Sequence, residues 1–258
     1  MTERCRLMTY NVAHGRGLSL YQGFVSHAAL RRNLERLAVF LRESEADVVA
    51  LQEIDGDSHW NGHLDMPAFL GEHAGYPVAW LGVNTRREGR KPLNYGNALL
   101  SRLPVVYREN IPFGRATLGE KGFLYAEVRL DRLIVPVVNL HLCYRSPTRR
   151  RAQIAALAQY LAARETAPGT TPPVVCGDFN TQAARPDDAV RELLEALRAV
   201  RGDYRVHPVD VPTFHSIRPT RRLDFVFLPQ SFRLLHCEVP KLRLSDHLPV
   251  LVDFRASL

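Results

Sequence analysis

Apolar residues fall in short runs, and several of these runs end on a polar residue that packing alone does not explain. Residues 5–12 alternate apolar and polar as a half-buried strand does, and Tyr21 to Val25 read as a loop. Ser26 then caps a helix carrying Leu30, Leu34, Leu37 and Leu41 at near-helical spacing. Asp47 to Leu51 form a buried strand that stops at Glu53, and a polar loop with Trp60 and several histidines runs from Asp55 to Pro67. Strands are predicted at 78–83, 95–101, 105–111, 123–130 and 133–142. Ser146-Pro147 opens a helix carrying Ile154, Leu157 and Leu161. Pro172-Pro173 starts a strand over 174–178, a leucine-rich helix spans 187–199, and strands return at 222–228, 233–239 and 249–254.

Helix, buried strand and terminal carboxylate occur in that order twice, ending at Glu53 and at Asp178. Strands outnumber helices and several form adjacent hairpin-like pairs. That mixture predicts two packed mixed sheets flanked by helices, and no linker or repeat divides the chain, so residues 1–258 are expected to be one domain.

Composition narrows the class. The apolar share of 46% supplies a large core, and the charged share of 24% is ordinary for a soluble domain. No apolar run approaches the roughly 18 residues that span a bilayer. Met1 to Cys5 lead straight into a strand without signal-peptide architecture, so a cytoplasmic location is expected. The four cysteines are scattered without a CxxC pair and read as buried thiols. A net charge of +7 suggests a polyanionic or phosphorylated partner, although only three of the 34 basic residues are lysine, an arginine bias that genome composition also produces. The basic residues cluster at Arg86-Arg87 with Arg90-Lys91, at Arg149-Arg150-Arg151, and at Arg218 with Arg221-Arg222, and these are candidate phosphate-facing groups.

The polar strand ends hold the candidate chemistry, since open α/β sheets place their sites there. Glu53 ends an apolar strand, where a carboxylate is costly unless paired or metal-bound; a surface carboxylate just past the sheet is the alternative. In Gly177-Asp178-Phe179-Asn180 the two polar side chains sit two apart and face the same way, or else form an Asx turn. In Asp246-His247 the neighbours face opposite ways, so Asp224, opening another apolar strand, is the better partner for His247. His141 and Asn11 end strands of their own, where a hydrogen-bonded structural role is the commoner one for a lone residue.

The ordered set Tyr10-Asn11, Gln52-Glu53, Asn139-Leu140-His141, Gly177-Asp178-Phe179-Asn180, Leu223-Asp224 and Ser245-Asp246-His247 resembles the endonuclease/exonuclease/phosphatase superfamily. That group includes pancreatic-type deoxyribonuclease, AP endonucleases, neutral sphingomyelinases and inositol polyphosphate 5-phosphatases. The similarity runs from Tyr10 to Val250, and Tyr95 to Ser101 and Pro212-Thr213-Phe214 resemble segments of small bacterial members. It implies a four-layered α/β sandwich that hydrolyses a phosphate ester with Mg²⁺, or with Mn²⁺ in its place. By resemblance, Glu53 would bind the metal with Asn11 nearby, and Asp246 would support that side. Asp178 would hold or deprotonate the attacking water and Asn180 would orient it or a phosphate oxygen. His141 and His247 would hydrogen-bond phosphoryl oxygens, with Asp224 orienting His247. Either Asp178 or His247 could be the base.

AP endonuclease-like members carry an acidic residue two after the asparagine matching Asn11, where this chain has Ala13 and then His14. That departure argues against that branch. Trp60 reads either as a stacking platform or as part of a packed flap, and His14, Asn97 and Arg145 are further candidate substrate contacts. The basic clusters favour nucleic acid as substrate over a phospholipid head group or a small phosphorylated metabolite. The lack of an apolar membrane-inserting segment counts against lipids. A catalytically dead binding module would have lost at least one of these positions, and a dinucleotide-binding fold needs more than Gly15-Arg16-Gly17. No obligate protein partner is evident.

Overall fold

Two six-stranded sheets with the same internal plan form the middle of the molecule. The structure is a computed structural model and describes residues 4–115, 119–164, 167–181 and 188–257. The first half contributes β1 (Arg4–Asn11), α1 (His27–Glu43), β2 (Val48–Asp55), α2 (Met66–Ala74), β3 (Val78–Arg87) and β4 (Leu93–Ser101). The second contributes β5 (Val105–Pro112), β6 (Gly122–Leu130), β7 (Leu133–His141), α3 (Pro147–Ala163), β8 (Val174–Asp178), α4 (Ala189–Arg201), β9 (Tyr204–His207) and β10 (Asp224–Pro229). β11 (Arg233–Glu238) and β12 (Val250–Arg255) return to the first sheet. The orders are β11-β12-β1-β2-β4-β3 and β5-β6-β7-β8-β10-β9. Each sheet has one parallel pair, β1 with β2 and β7 with β8, joined by a helix, and the other neighbours are antiparallel. The twofold repeat of helix, strand and carboxylate in the sequence is this shared plan.

Alternation sorts the side chains into layers. Cys5, Leu7, Val48, Ala50, Val135, Val137, Val250 and Val252 fill the space between the sheets. Met8, Tyr10, Val49 and Leu51 point outward against the leucine stripe of α1 and against α2. Val138, Leu140, Val175 and Phe225 point outward against α3 and α4. The result is the expected four-layered α/β sandwich.

Two elements depart from the sequence reading. The expected polar loop to Pro67 gives way to α2, a short helix capped by Asp65 accepting from the Ala68 amide, with Pro67 in its first turn and Gly75 closing it at φ +76°. These are ordinary start and stop signals, hidden because the helix is too short to show a hydrophobic period. β9 has four residues at a sheet edge and was not predicted. The predicted start of α4 at 187, like Met1 to Glu3, lies outside the described residues.

At the carboxyl ends of the parallel pairs the inter-sheet layer turns polar. The Asn139 amide nitrogen, on β7, donates at 2.9 Å to the carbonyls of both Leu51 and Ala98 across the gap. Its oxygen accepts from Gln52 Nε2 at 2.7 Å, and Gln52 also donates to Thr9 Oγ1 at 3.0 Å. The Asn97 amide donates to the carbonyls of Asn139 and Gly122, each at 3.1 Å. All four side chains are buried. Asn139→Leu would strip Gln52 and two strand carbonyls of a partner, with an expected loss of at least about 3 kcal/mol in urea unfolding. Gly177 lies at φ +142°, and a Cβ there would stand 1.9 Å from the Leu140 carbonyl oxygen. Gly177→Ala is therefore expected to cost more than about 3 kcal/mol in the same assay, since backbone and not a yielding side chain fills the space.

Candidate active site

The carboxyl ends of β1, β2, β7 and β8 open into a cleft of about 380 Å³. Glu53, His141, Asp178, Asn180, Asp246 and His247 line it together, although they come from distant parts of the sequence. Asn11 and Asp224 are buried behind that wall, each bonded to a residue on it.

Asp178 is held from several sides. Asn11 Nδ2 donates to its Oδ2 at 3.0 Å, and the Asn180 amide donates to its Oδ1 at 2.9 Å. Oδ2 also stands 3.5 Å from His141 Nε2 and 3.8 Å from His247 Nε2. Burial pushes the Asp178 carboxyl well above the ordinary carboxylate range; His247 opposes the rise and the neighbouring Asp224 adds to it. Register explains the company, because Asp224 is the cross-strand partner of Asp178 in the β8/β10 pair.

His247 bonds Asp224 through Nδ1, at 2.9 Å to Oδ2 and 3.2 Å to Oδ1. Burial would favour its neutral form, but Asp224, Asp178 and Asp246 overcome that and raise it well above an ordinary imidazole. These carboxylates favour the protonated ring, whose Nε2 faces Asp178 Oδ2 at 3.8 Å on the cleft side. Asp224 opens β10, and its own amide and that of the preceding Leu223 donate to Thr213 Oγ1. His141 goes the other way. Burial drives it well below the usual value, and its two ring nitrogens face donors, Lys121 Nζ at 3.3 Å and Asn180 Nδ2 at 3.0 Å. The Lys121 ammonium beside Nδ1 adds to that drop, so the neutral ring is favoured.

Glu53 owes its aim to the backbone. Residues 52 and 54 pair with consecutive residues of β4, so Glu53 is an extra residue in β2, and it sits at φ +49°. The bulge turns its side chain toward the cleft, where about a quarter of it is exposed. Burial alone would raise Glu53, yet Lys121, His14, His141 and His247 together hold it far below the usual carboxylate range. Its acid form is thereby excluded at neutral pH, leaving an anionic oxygen donor. Asp246, expected on the metal side, lines the same cleft with Oδ2 accepting from Arg16 at 2.7 Å.

The remaining candidates lie apart. His14 bonds Asp55 at 2.6 Å through Nδ1 and points Nε2 at Glu53, 3.8 Å away. Trp60 is packed and does not line the cleft: its indole donates to Asp55 Oδ1 at 2.7 Å, and its ring meets His14, His59 and Tyr95. Asn97 is spent on the inter-sheet bonds described above. Arg145 stacks over Tyr144 and faces a neighbouring cavity with Arg149, Ser146 and Lys121.

Four residues at the cleft escaped the sequence reading as site residues: Arg16, Lys121, Tyr144 and Phe214. Lys121, with Nζ 3.5 Å from Glu53 Oε1, arrives at the start of β6 without any motif. Arg16 was visible only as the middle of a glycine-flanked turn. Of the arginine clusters, only Arg221 reaches the cleft wall, stacked 4.3 Å over Phe214. Arg149 pairs with Glu120, Arg150 donates to the Cys143 carbonyl, and Arg151 pairs with Glu192.

Comparisons with known proteins place the chain in a family and its fold among solved structures. YbhP of Escherichia coli (strain K12), of uncharacterised function, is 28% identical over 258 residues, covering 90% of this chain and 92% of its own. The solved mannosyl-6-phosphatase Bt3783 of Bacteroides thetaiotaomicron superposes with a TM-score of 0.74 at 14% identity, covering 97% of this chain and 99% of that one. Sphingomyelinase C of Streptomyces griseocarneus does so with a TM-score of 0.64 at 19% identity, covering 97% and 99%. The model of the Endonuclease/Exonuclease/phosphatase family matches residues 8–247. With that match spanning every strand end that forms the cleft, the chain belongs to the Endonuclease/Exonuclease/phosphatase family, whose members are hydrolases of phosphate esters.

Proposed function

We propose that the protein is a divalent-metal-dependent phosphodiesterase in which Asp178 takes the proton of the attacking water and His247 donates to a phosphoryl oxygen. The observation that carries this reading is the Asp224–His247 pair facing Asp178 across less than a hydrogen-bonded water's width, opposite the anionic Glu53. An imidazolium cannot accept a proton, so the basic role falls to Asp178, whose raised affinity suits it to that task. Asn11 and the Asn180 amide fix the direction of its carboxylate, and Asn180 and neutral His141 offer hydrogen bonds beside it. No serine or cysteine nucleophile is needed for phosphoryl transfer, which asks mainly for positioning and charge neutralisation.

The donor set fits a hard cation. Glu53 presents a carboxylate to the cleft, and Asp246 stands on the same wall with its Oδ2 already shared with Arg16. One or two oxygen ligands plus waters suit Mg²⁺, and Mn²⁺ would serve in its place. When bound there, the cation would neutralise charge that builds on the phosphate during attack. Asp178, Asp224 and His247 also cluster closely enough to hold an ion, but the His247–Asp224 bond already occupies that pair.

For the substrate, net charge favours nucleic acid, whereas the placement of the arginines favours a single diester group. Arg149, Arg150 and Arg151 are engaged by protein partners, and of the three arginine clusters only Arg221 lines the cleft. A head-group diester, the substrate class named for the sphingomyelinase neighbour, therefore ranks first, and nucleic acid second.

Bis(p-nitrophenyl) phosphate is expected to be hydrolysed faster than p-nitrophenyl phosphate with Mg²⁺ and not at all in excess EDTA. Asp178→Asn should lower kcat at least about 100-fold while the thermal midpoint stays within a few degrees. A near-wild-type rate in that variant would remove Asp178 from the chemistry. The pH dependence has a definite sign, because activity needs Asp178 ionised and His247 protonated. Asp178 is raised, so the acid limb of kcat/KM should lie clearly above the ordinary aspartate value of about 4. His247 is raised too, so activity should persist above the ordinary imidazole value of about 6.5 and fall only in the alkaline range.

A further inference from the structure

Three loops meet around Asp246 at one edge of the cleft. Arg16 binds its carboxylate and the Ser19 carbonyl, which draws in residues 16–24. The Ser216 amide donates to the Asp246 carbonyl at 2.8 Å, which brings residues 215–222 alongside. Asn33 donates to the carbonyls of both Gly15 and Leu244, at 3.0 and 2.9 Å, and so ties residues 239–245 to the first loop.

These loops carry an unusual surface. Leu20 is 92% exposed and Phe24 80%, and Tyr21 lies edge-on to Phe24 at 5.3 Å, so the pair stands in solvent without a core to join. Ile217 is exposed on the second loop. Around them Arg218, Arg221, Lys241 and Arg243 are exposed, and none is paired with a carboxylate among the described residues. Residues 12–25, 215–222 and 239–245 contain no aspartate or glutamate at all. The one acid they surround, Asp246, is already bonded to Arg16. Apolar tips set among uncompensated cations, beside a phosphoester site, match the two-part chemistry of an anionic lipid surface: acyl chains below and phosphates above.

We propose that this rim docks the cleft onto an anionic membrane surface, with Leu20 and Phe24 entering the acyl boundary and the four cations meeting lipid phosphates. An aliphatic tip such as Leu20 has no use on a nucleic-acid backbone, which would call for cations and stacking rings alone. The sequence hides this element because it is neither long nor periodic; three short loops form it only after folding. The proposal deepens the head-group reading of the cleft, but the docking itself does not depend on catalysis.

The test uses the full chain in EDTA, sedimented with vesicles of phosphatidylglycerol and phosphatidylcholine or of phosphatidylcholine alone. Wild type is expected to partition onto the anionic vesicles, less so as salt rises. The double variant Leu20→Ser/Phe24→Ser should lose at least about tenfold in partitioning. Its Mg²⁺-dependent turnover of bis(p-nitrophenyl) phosphate should equal that of wild type, since neither residue lines the cleft. Wild type failing to bind anionic vesicles at low salt, or a double variant that binds as well as wild type, would overturn the proposal. So would a double variant that loses affinity for a single-stranded oligonucleotide while vesicle binding is unchanged, which would make the rim a nucleic-acid surface. Vesicle binding lost in the variant, with wild type inert on the diester, would uphold docking and remove the phosphodiesterase reading instead.

Discussion

A buried polar layer joins the two sheets just beneath the cleft, and the placement of the strand ends that line it depends on it. Hydrophobic packing alone would let two valine-rich sheets slide over one another with little change in buried area, because the effect is not directional. Asn139 removes that freedom by donating to carbonyls on two strands of the opposite sheet and accepting from Gln52. Such bonds have one register that satisfies them, and breaking them in the interior is costly. The strand ends bearing Asn11 and Glu53 are thereby set against those bearing His141 and Asp178.

With the frame set, local backbone geometry aims the side chains. Glu53 and Asn180 both take left-handed conformations that ordinary residues avoid, and both lie at the cleft. Gly177 permits β8 to approach the Leu140 carbonyl so closely that no side chain fits. These strained points are tolerated because the packed sheets on either side hold them, a pattern that goes with sites where orientation matters more than local stability.

Electrostatics then gives neighbouring groups different work. Two histidines facing one aspartate are shifted in opposite directions, His247 up by its three carboxylate neighbours and His141 down by burial and Lys121. Where an acidic residue would follow Asn11 the chain has Ala13, and the next residue, His14, is oriented by Asp55 toward Glu53. Glu53 thus lies beside Lys121, His14 and His141 of the protein itself.

Strand pattern and polar endings were enough to anticipate two mixed sheets and the repeated helix–strand–carboxylate unit, because each is a local feature of a run of residues; Glu53, His141, Asp178, Asp224 and His247 were drawn together as one set by the resemblance, and the structure brings them together at one cleft. The choice of Asp224 over Asp246 as the partner of His247 also followed from alternation alone, and the 2.9 Å bond agrees. What only tertiary structure decided involves groups brought together from distant segments: Lys121 against Glu53, Arg16 on Asp246, and the withdrawal of Trp60 and Asn97 into packing. The protonation states belong to the same category, since they arise from burial and from charges contributed by different strands. The physical reason is that periodicity encodes which face of an element is buried, whereas distances between elements, and hence fields and cavities, exist only once the sheets have closed on each other.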